Sequence, residues 1–388
     1  MGRYKNFGTR SSVLFLCFFM IFHISCVEEY MPGVSKSENL LIVDGGITND
    51  PGPYSVALSI SQGVEDEVTL PLSGATVRIE EKDGFAEILT EVREGFYQSS
   101  PDKIQGIPGR EYRLVIEAGQ KRYESEWMYM KKCPEIDNLY WQRDVRNGID
   151  LDYDGIQIYI DTHDPDNSTR YYRWEYKEAW AFSAPISSSW NPTMCYSKSN
   201  SSSIMIGTTE RYQSDRLEKQ PIVYINQTTS RLILRYRFIV IQHAINQREY
   251  RYWEALEELN ENLGTLFDPI PARINGNVRN INDPKESVLG FFTCSSVKKD
   301  TMYVDVRDFY NDPIVFISPY KDCNFRTFEG DNNTEVARYL RYGWLLADTV
   351  RDGLVLITTL ANSRFCFDCT TSGDPEPPVD WIPFTYNK

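Results

Sequence analysis

The chain has 388 residues, and its 41 Lys and Arg against 55 Asp and Glu give a formal net charge of −14. That balance argues against binding a phosphate backbone, which clustered cations drive, and against docking on anionic headgroups by charge alone. Aromatic residues are abundant, with 8 Trp, 25 Tyr and 19 Phe, and such side chains suit the half-buried faces of strands.

The first element is a leader. Arg3, Lys5 and Arg10 precede an apolar stretch from Val13 to Ile24, and Ser25 supplies a small residue just before Cys26. The stretch falls short of the about 20 apolar residues that span a bilayer and fits the middle of an export signal. Residues 1–25 read as a lipoprotein signal peptide, Cys26 as the acylated residue, and residues 26–38 as its tether. The rival readings are an ordinary secretory signal, which leaves Cys26 a spare thiol, and acylation at Cys17. Acyl chains hold a protein to a membrane at about 0.8 kcal/mol per buried methylene.

Short strands follow. Leu40–Val43 and Tyr54–Ile60 flank the turn Asn49–Pro53, and Pro71–Glu80 alternates up to the hairpin dipeptide Asp83-Gly84. Gly95-Phe96-Tyr97 and Gly109–Glu117 complete a pattern that predicts a β-sandwich over residues 39–132. Its order resembles the transthyretin-like or carboxypeptidase-regulatory-like sandwich, whose modules are mostly non-catalytic spacers and recognition units, and the expected class is an immunoglobulin/transthyretin-like β-sandwich. Cys133-Pro134 marks the expected boundary to a larger β-rich domain over residues 133–388. There Ile156–Asp161, Tyr171–Tyr176, Ile204–Gly207, Ile222–Ile225 and the long run Arg231–Ile241 read as strands. One helix is expected over Gln247–Leu263, with Trp253, Leu256 and Leu259 on one face, Asn246 as N-cap and Gly264 as stop. Strands resume at Val288–Phe292, Met302–Val306, Ile314–Ile317 and Leu354–Thr358, and the Pro-rich end Asp374–Pro383 reads as disordered. The fold class is mainly β with one clear helix.

Few residues invite catalysis. His163 and His243 are the histidines beyond the leader, and no nucleophile elbow, metalloprotease motif, P-loop or dinucleotide fingerprint accompanies them. No catalytic residue and no cofactor is assigned. Asp150, Asp152 and Asp154 before Gly155 follow the first half of a calcium loop, but Asp161 stands where a bidentate Glu is wanted. The bland alternative there is a solvated acidic hairpin. Six cysteines lie beyond the leader, permitting 15 pairings. Cys366-Phe-Asp-Cys369 lacks a second ligand pair for zinc and the βαβ setting of a redox motif. Disulfides involving Cys323, Cys366 and Cys369 are the preferred reading. A ligand face, if present, draws on the aromatics of Tyr171–Trp180 and Trp190–Tyr196, for which core and edge packing is the plainer use.

Four stretches carry a resemblance across almost the whole chain: Leu41–Tyr54, Arg170–Trp180, Leu263–Pro271 with Ile274–Asn277, and Cys366–Cys369. They resemble a family of Bacteroidota outer-membrane lipoproteins classed as a domain of unknown function, whose genes usually accompany a TonB-dependent receptor. The acidic tail Asp374–Trp381 departs from relatives that tend towards a Gly-rich ending. The resemblance implies a location at the outer membrane, held through the lipid anchor and facing outward, with Glu28 and Glu29 similar to a surface-export signal. It implies a TonB-dependent outer-membrane receptor as partner and a nutrient as ligand, in the manner of SusD-like accessory proteins. Cys133 and Cys294 look unlike typical members, which suggests that they pair with each other. The resulting expectation is a non-enzymatic accessory to nutrient capture or gating. A structural or adhesion lipoprotein is the alternative, with a secreted hydrolase behind it.

Overall fold

The computed structural model describes residues 39–61, 69–148, 153–262, 276–309 and 320–383, together with 274 and 314. Cys26, Glu28, Glu29, Asp150 and Asp152 lie outside them. The protein is mainly β, with the expected helix at Gln247–Asn262 and a second, shorter one at Asn333–Arg341. Among the described residues no helix is long and apolar enough to cross a membrane, which leaves membrane-crossing strands unaddressed.

The spine is the strand Val288–Asp305, whose 18 residues run about 60 Å at roughly 3.3 Å per residue. Its first half pairs in parallel with Leu41–Thr48, from Leu41 opposite Val288 to Thr48 opposite Ser295. Its second half pairs antiparallel with Arg235–Ala244, from Ala244 opposite Ser296 to Arg235 opposite Asp305. One ten-stranded sheet therefore joins the two halves of the chain, continuing through Ser55–Ile60 on one side and through Tyr171–Ser183 on the other. The boundary expected at Cys133 is no break between separate units, because a strand from beyond residue 288 completes the N-terminal layer. Gly290 allows this close approach: it has φ +87°, and a Cβ there would sit 1.9 Å from the Val43 carbonyl oxygen.

The sandwich closes with a second sheet ordered Val278–Asn280, Lys121–Ser125, Glu111–Ala118, Thr76–Glu81 and Ala86–Ile88. Alternation puts Val43, Ile47, Val56 and Leu58 of the first sheet against Val77, Ile79, Leu114 and Ile116 of the second. Each such side chain stabilises the fold by roughly 1.5–3 kcal/mol when fully buried. A second core forms where the sheet Ile136–Arg146, Tyr153–Asp164 and Asp215–Asn226 lays Ile156, Ile158 and Ile160 on Tyr172, Trp174, Tyr236 and Phe238. A fourth sheet, Phe325–Glu329, Val355–Ala361 and Leu345–Asp352, carries the short helix, which buries none of its residues. That helix escaped the sequence reading because nine residues with no side-chain N-cap bond leave little local signal.

Several expectations are corrected. Ser230–Leu232 form a 3₁₀ turn, so the long strand begins at Arg235 rather than Arg231. The Pro-rich end is ordered up to Pro383, because the sheet's Arg side chains reach its carbonyls. Arg235 Nη1 donates to Ile382 O at 2.8 Å and Arg237 Nη1 to Val379 O at 2.8 Å. Trp381 packs edge-on against Tyr196, ring centres 5.2 Å apart. The cysteines of Cys366-Phe-Asp-Cys369 bond elsewhere, Cys366 to Cys323 and Cys369 to Cys195, a partner the sequence reading left out. Cys133 and Cys294 are free and buried instead of paired. Cys133 donates to the Gln242 carbonyl at 3.4 Å, whereas Cys294 donates to the Met128 carbonyl at 3.4 Å inside the sandwich core. Burial pushes the Cys133 thiol up to about 12, so it behaves as an inert packing group. Asp154, the described member of the calcium set, spends both oxygens on Arg143 at 2.9 and 2.6 Å. Its charge is thereby neutralised by a fork of donors.

Candidate functional site

The strand Tyr171–Ser183 changes neighbour along its outer edge. Residues 171–174 pair with Met205–Thr208, and residues 177–183 pair with Met194–Asn200. Between them the chain bulges outward at Ser201–Ile204, held where Tyr176 N donates to Ser201 Oγ at 3.1 Å and Ser201 N to Tyr176 O at 2.8 Å. The notch so formed is an open cleft of about 360 Å³. Gly207 helps shape it, since a Cβ there would lie 2.7 Å from the Trp174 ring.

The groups around the cleft fall into two sets. Ile204, Met205, Ile241 and Trp253 are buried or half-buried and form an apolar floor. Lys177, Asn200, Ser202 and Ser203 are exposed and form a polar rim, in which the register sets Lys177 directly opposite Asn200. Trp253 comes from the helix Gln247–Asn262, whose start is fixed as expected: Glu249 N donates to Asn246 Oδ1 at 2.8 Å.

Beside the cleft lies a cluster of ionisable groups. Alternation puts Arg173 and Glu175 on one face of their strand, with His243 opposite Arg173 in the next strand. Arg173 pairs with Glu175, and its Nη2 lies 3.5 Å from His243 Nδ1. The same Nδ1 is 2.9 Å from Ser295 Oγ, while His243 Nε2 lies 3.8 Å from Glu175 Oε2. Burial, and then the Arg173 charge, lower the imidazole to about 4. His243 is therefore neutral at ordinary pH, and donors at Nδ1 favour the tautomer with its proton on Nε2, facing Glu175. The His243 ring and the Arg173 guanidinium hold Glu175 well below the usual carboxylate range. Glu249, fully buried in the first turn of the helix, accepts from Trp253 Nε1 at 3.4 Å, and its Oε2 has no hydrogen-bond partner among the described residues. Burial raises it to about 7, which leaves it largely protonated below neutrality.

Ser295, His243 and Glu175 make a serine, histidine and acid trio, but Ser295 is fully buried. In this arrangement its hydroxyl packs inside the sheet rather than facing the cleft as a nucleophile does. What the cleft presents to solvent are binding groups. His163, the other histidine among the described residues, sits at the surface against Asp137 at 2.7 Å, away from this cluster.

The ligand-face segments of the sequence reading separate here. Arg173 to Lys177 line the cleft, whereas Trp190 is exposed and Tyr196 meets the C-terminal tail at a second cleft of about 360 Å³ with Asp374, Glu376 and Val379. Ser295, Glu249 and the serines of the bulge were missed. The available signal was the alternation Arg173, Glu175, Lys177, three charges on one face of an aromatic-rich strand.

Fold and cleft together define a mainly β protein with an open polar notch at a sheet edge. The chain belongs to the family described as Domain of unknown function (DUF4249), whose model matches residues 27–301. The cleft lies wholly within that match, and the C-terminal sheet lies beyond it. Comparison with curated proteins found no match.

Proposed function

We propose that this is a non-enzymatic surface lipoprotein of the Bacteroidota outer membrane, anchored through Cys26, that accompanies a TonB-dependent transporter and binds its cargo. The observation that carries the binding role is the cleft: its exposed groups are suited to holding a small molecule, and the histidine and serine that acid–base chemistry would draw on are buried. The leader ending at Ser25-Cys26 and the acidic pair Glu28-Glu29 support the location.

Affinity purification of the full chain from outer membranes tests the reading. The expected result is a large β-barrel retained through washing, and retention of none overturns the transporter association. Incorporation of labelled fatty acid into the wild type but not into Cys26→Ala tests the anchor in the same cells.

A further inference from the structure

Taking the cleft's binding role as given, we propose that its ligand is a monosaccharide unit carrying one carboxylate, of the uronic acid class. Three observations converge on this chemistry.

The floor comes first. Ile204, Met205, Ile241 and the Trp253 indole offer an apolar surface, suited to the C–H face of a pyranose ring. An indole contributes large contact area with little conformational entropy to lose. The rim comes second. Lys177, Asn200, Ser202 and Ser203 make no side-chain hydrogen bond or ion pair with any described residue, so their donors and acceptors are available to ring hydroxyls.

Charge comes third. Arg173 and Glu175 neutralise each other, and His243 beside them is uncharged. Lys177 is then the surplus charge of the cleft, a local cation on a chain of net charge −14. One ammonium suits one carboxylate through a charge-assisted hydrogen bond. A phosphate dianion would leave charge uncompensated, and a free amino acid would need a carboxylate that Arg173 already holds. The volume of about 360 Å³ lies at the small end of ligand sites, which suits one or two sugar rings.

Titration calorimetry on the full chain in detergent, with glucuronate, galacturonate, glucose and acetate as probes, tests the assignment. The expected result is saturable binding of a uronate, with glucose and acetate each weaker by about tenfold or more. Lys177→Met weakens the uronate by about tenfold and glucose by much less, while Asn200→Leu weakens both sugars. Both side chains are exposed, so unaltered thermal unfolding of the variants accompanies these losses. Glucose or acetate binding as tightly as the uronates, an unaffected Lys177→Met, or no saturable binding at all overturns the proposal. Absence of uronate binding in a protein that still retains its β-barrel overturns this assignment alone. Uronate binding without a barrel overturns only the transporter association.

Discussion

The guanidinium carbon of Arg173 lies 4.9 Å from the ring centre of Trp253. This contact ties the strand Tyr171–Ser183 to the helix Gln247–Asn262 beside the cleft. A desolvated cation–π pair of this kind contributes about 2 kcal/mol. The same guanidinium serves Glu175 and His243, so one side chain sets the electrostatics of the whole cluster.

Replacing it is therefore informative. In Arg173→Met the imidazole of His243 loses a repelling cation, and its pKa rises from about 4 towards the ordinary 6.5. Burial still holds it below that value. Glu175 rises in parallel, because the same cation had favoured its ionised form. Histidine ring resonances followed by NMR through acid titration report the change. A His243 midpoint that stays put or falls contradicts the cluster as described.

His243 and Glu249 give stability opposite dependences on pH. The His243 pKa is lowered from 6.5 to about 4, so its contribution is complete above 6.5 and is lost as pH falls through 4. The Glu249 pKa is raised from 4.5 to about 7, so its contribution is complete below 4.5 and is lost as pH rises through 7. Over the shared window the slopes oppose each other, each spanning about 3 kcal/mol. Glu249→Gln should gain about that much relative to wild type as pH rises from 4.5 to 7. His243→Gln should gain a similar amount as pH falls from 6.5 to 4. Urea denaturation at stepped pH measures both differences, and parallel slopes in the two variants would refute the opposition.

The disulfides predict a peptide map. Under non-reducing digestion Cys195 travels with Cys369 and Cys323 with Cys366. Recovery of Cys366 bonded to Cys369 would falsify this pairing. Chain-entropy arguments assign about 5 kcal/mol to the wider loop and about 4 kcal/mol to the narrower one. Cys195→Ser with Cys369→Ser should thus lower the denaturant midpoint more than Cys323→Ser with Cys366→Ser.

The C-terminal tail should resist proteases despite its composition. Its carbonyls at Val379, Asp380 and Ile382 accept from Arg237, Tyr303 and Arg235. Trp381→Ala removes the ring packed on Tyr196 and Tyr303. Limited proteolysis should then cut within residues 374–383 severalfold faster than in wild type, at a global cost of about 1–2 kcal/mol. Equal cleavage rates would show that the tail is held by something else.

Local signals made parts of the molecule legible. Asn246 caps a helix because its short side chain reaches the amide of Glu249. Ile156, Ile158 and Ile160 share a face because side chains in a strand alternate with period two. The cleft was legible only as a charged face on the strand from Tyr171. Its far wall, the serines of the bulge, carries no periodicity and gains meaning only from the neighbours that the strand exchanges there.

The sequence by itself determined the strand-rich character and the position of the main helix, since each is encoded within a few turns or alternations. Tertiary structure decided that Leu41–Thr48 lies parallel to the start of Val288–Asp305. It also decided that Cys369 finds Cys195 across 174 residues, and that Arg173, His243, Ser295 and Glu249 share one buried cluster. Those outcomes depend on which apolar faces bury each other best across the whole chain, a free energy spread over distant residues that no local window contains.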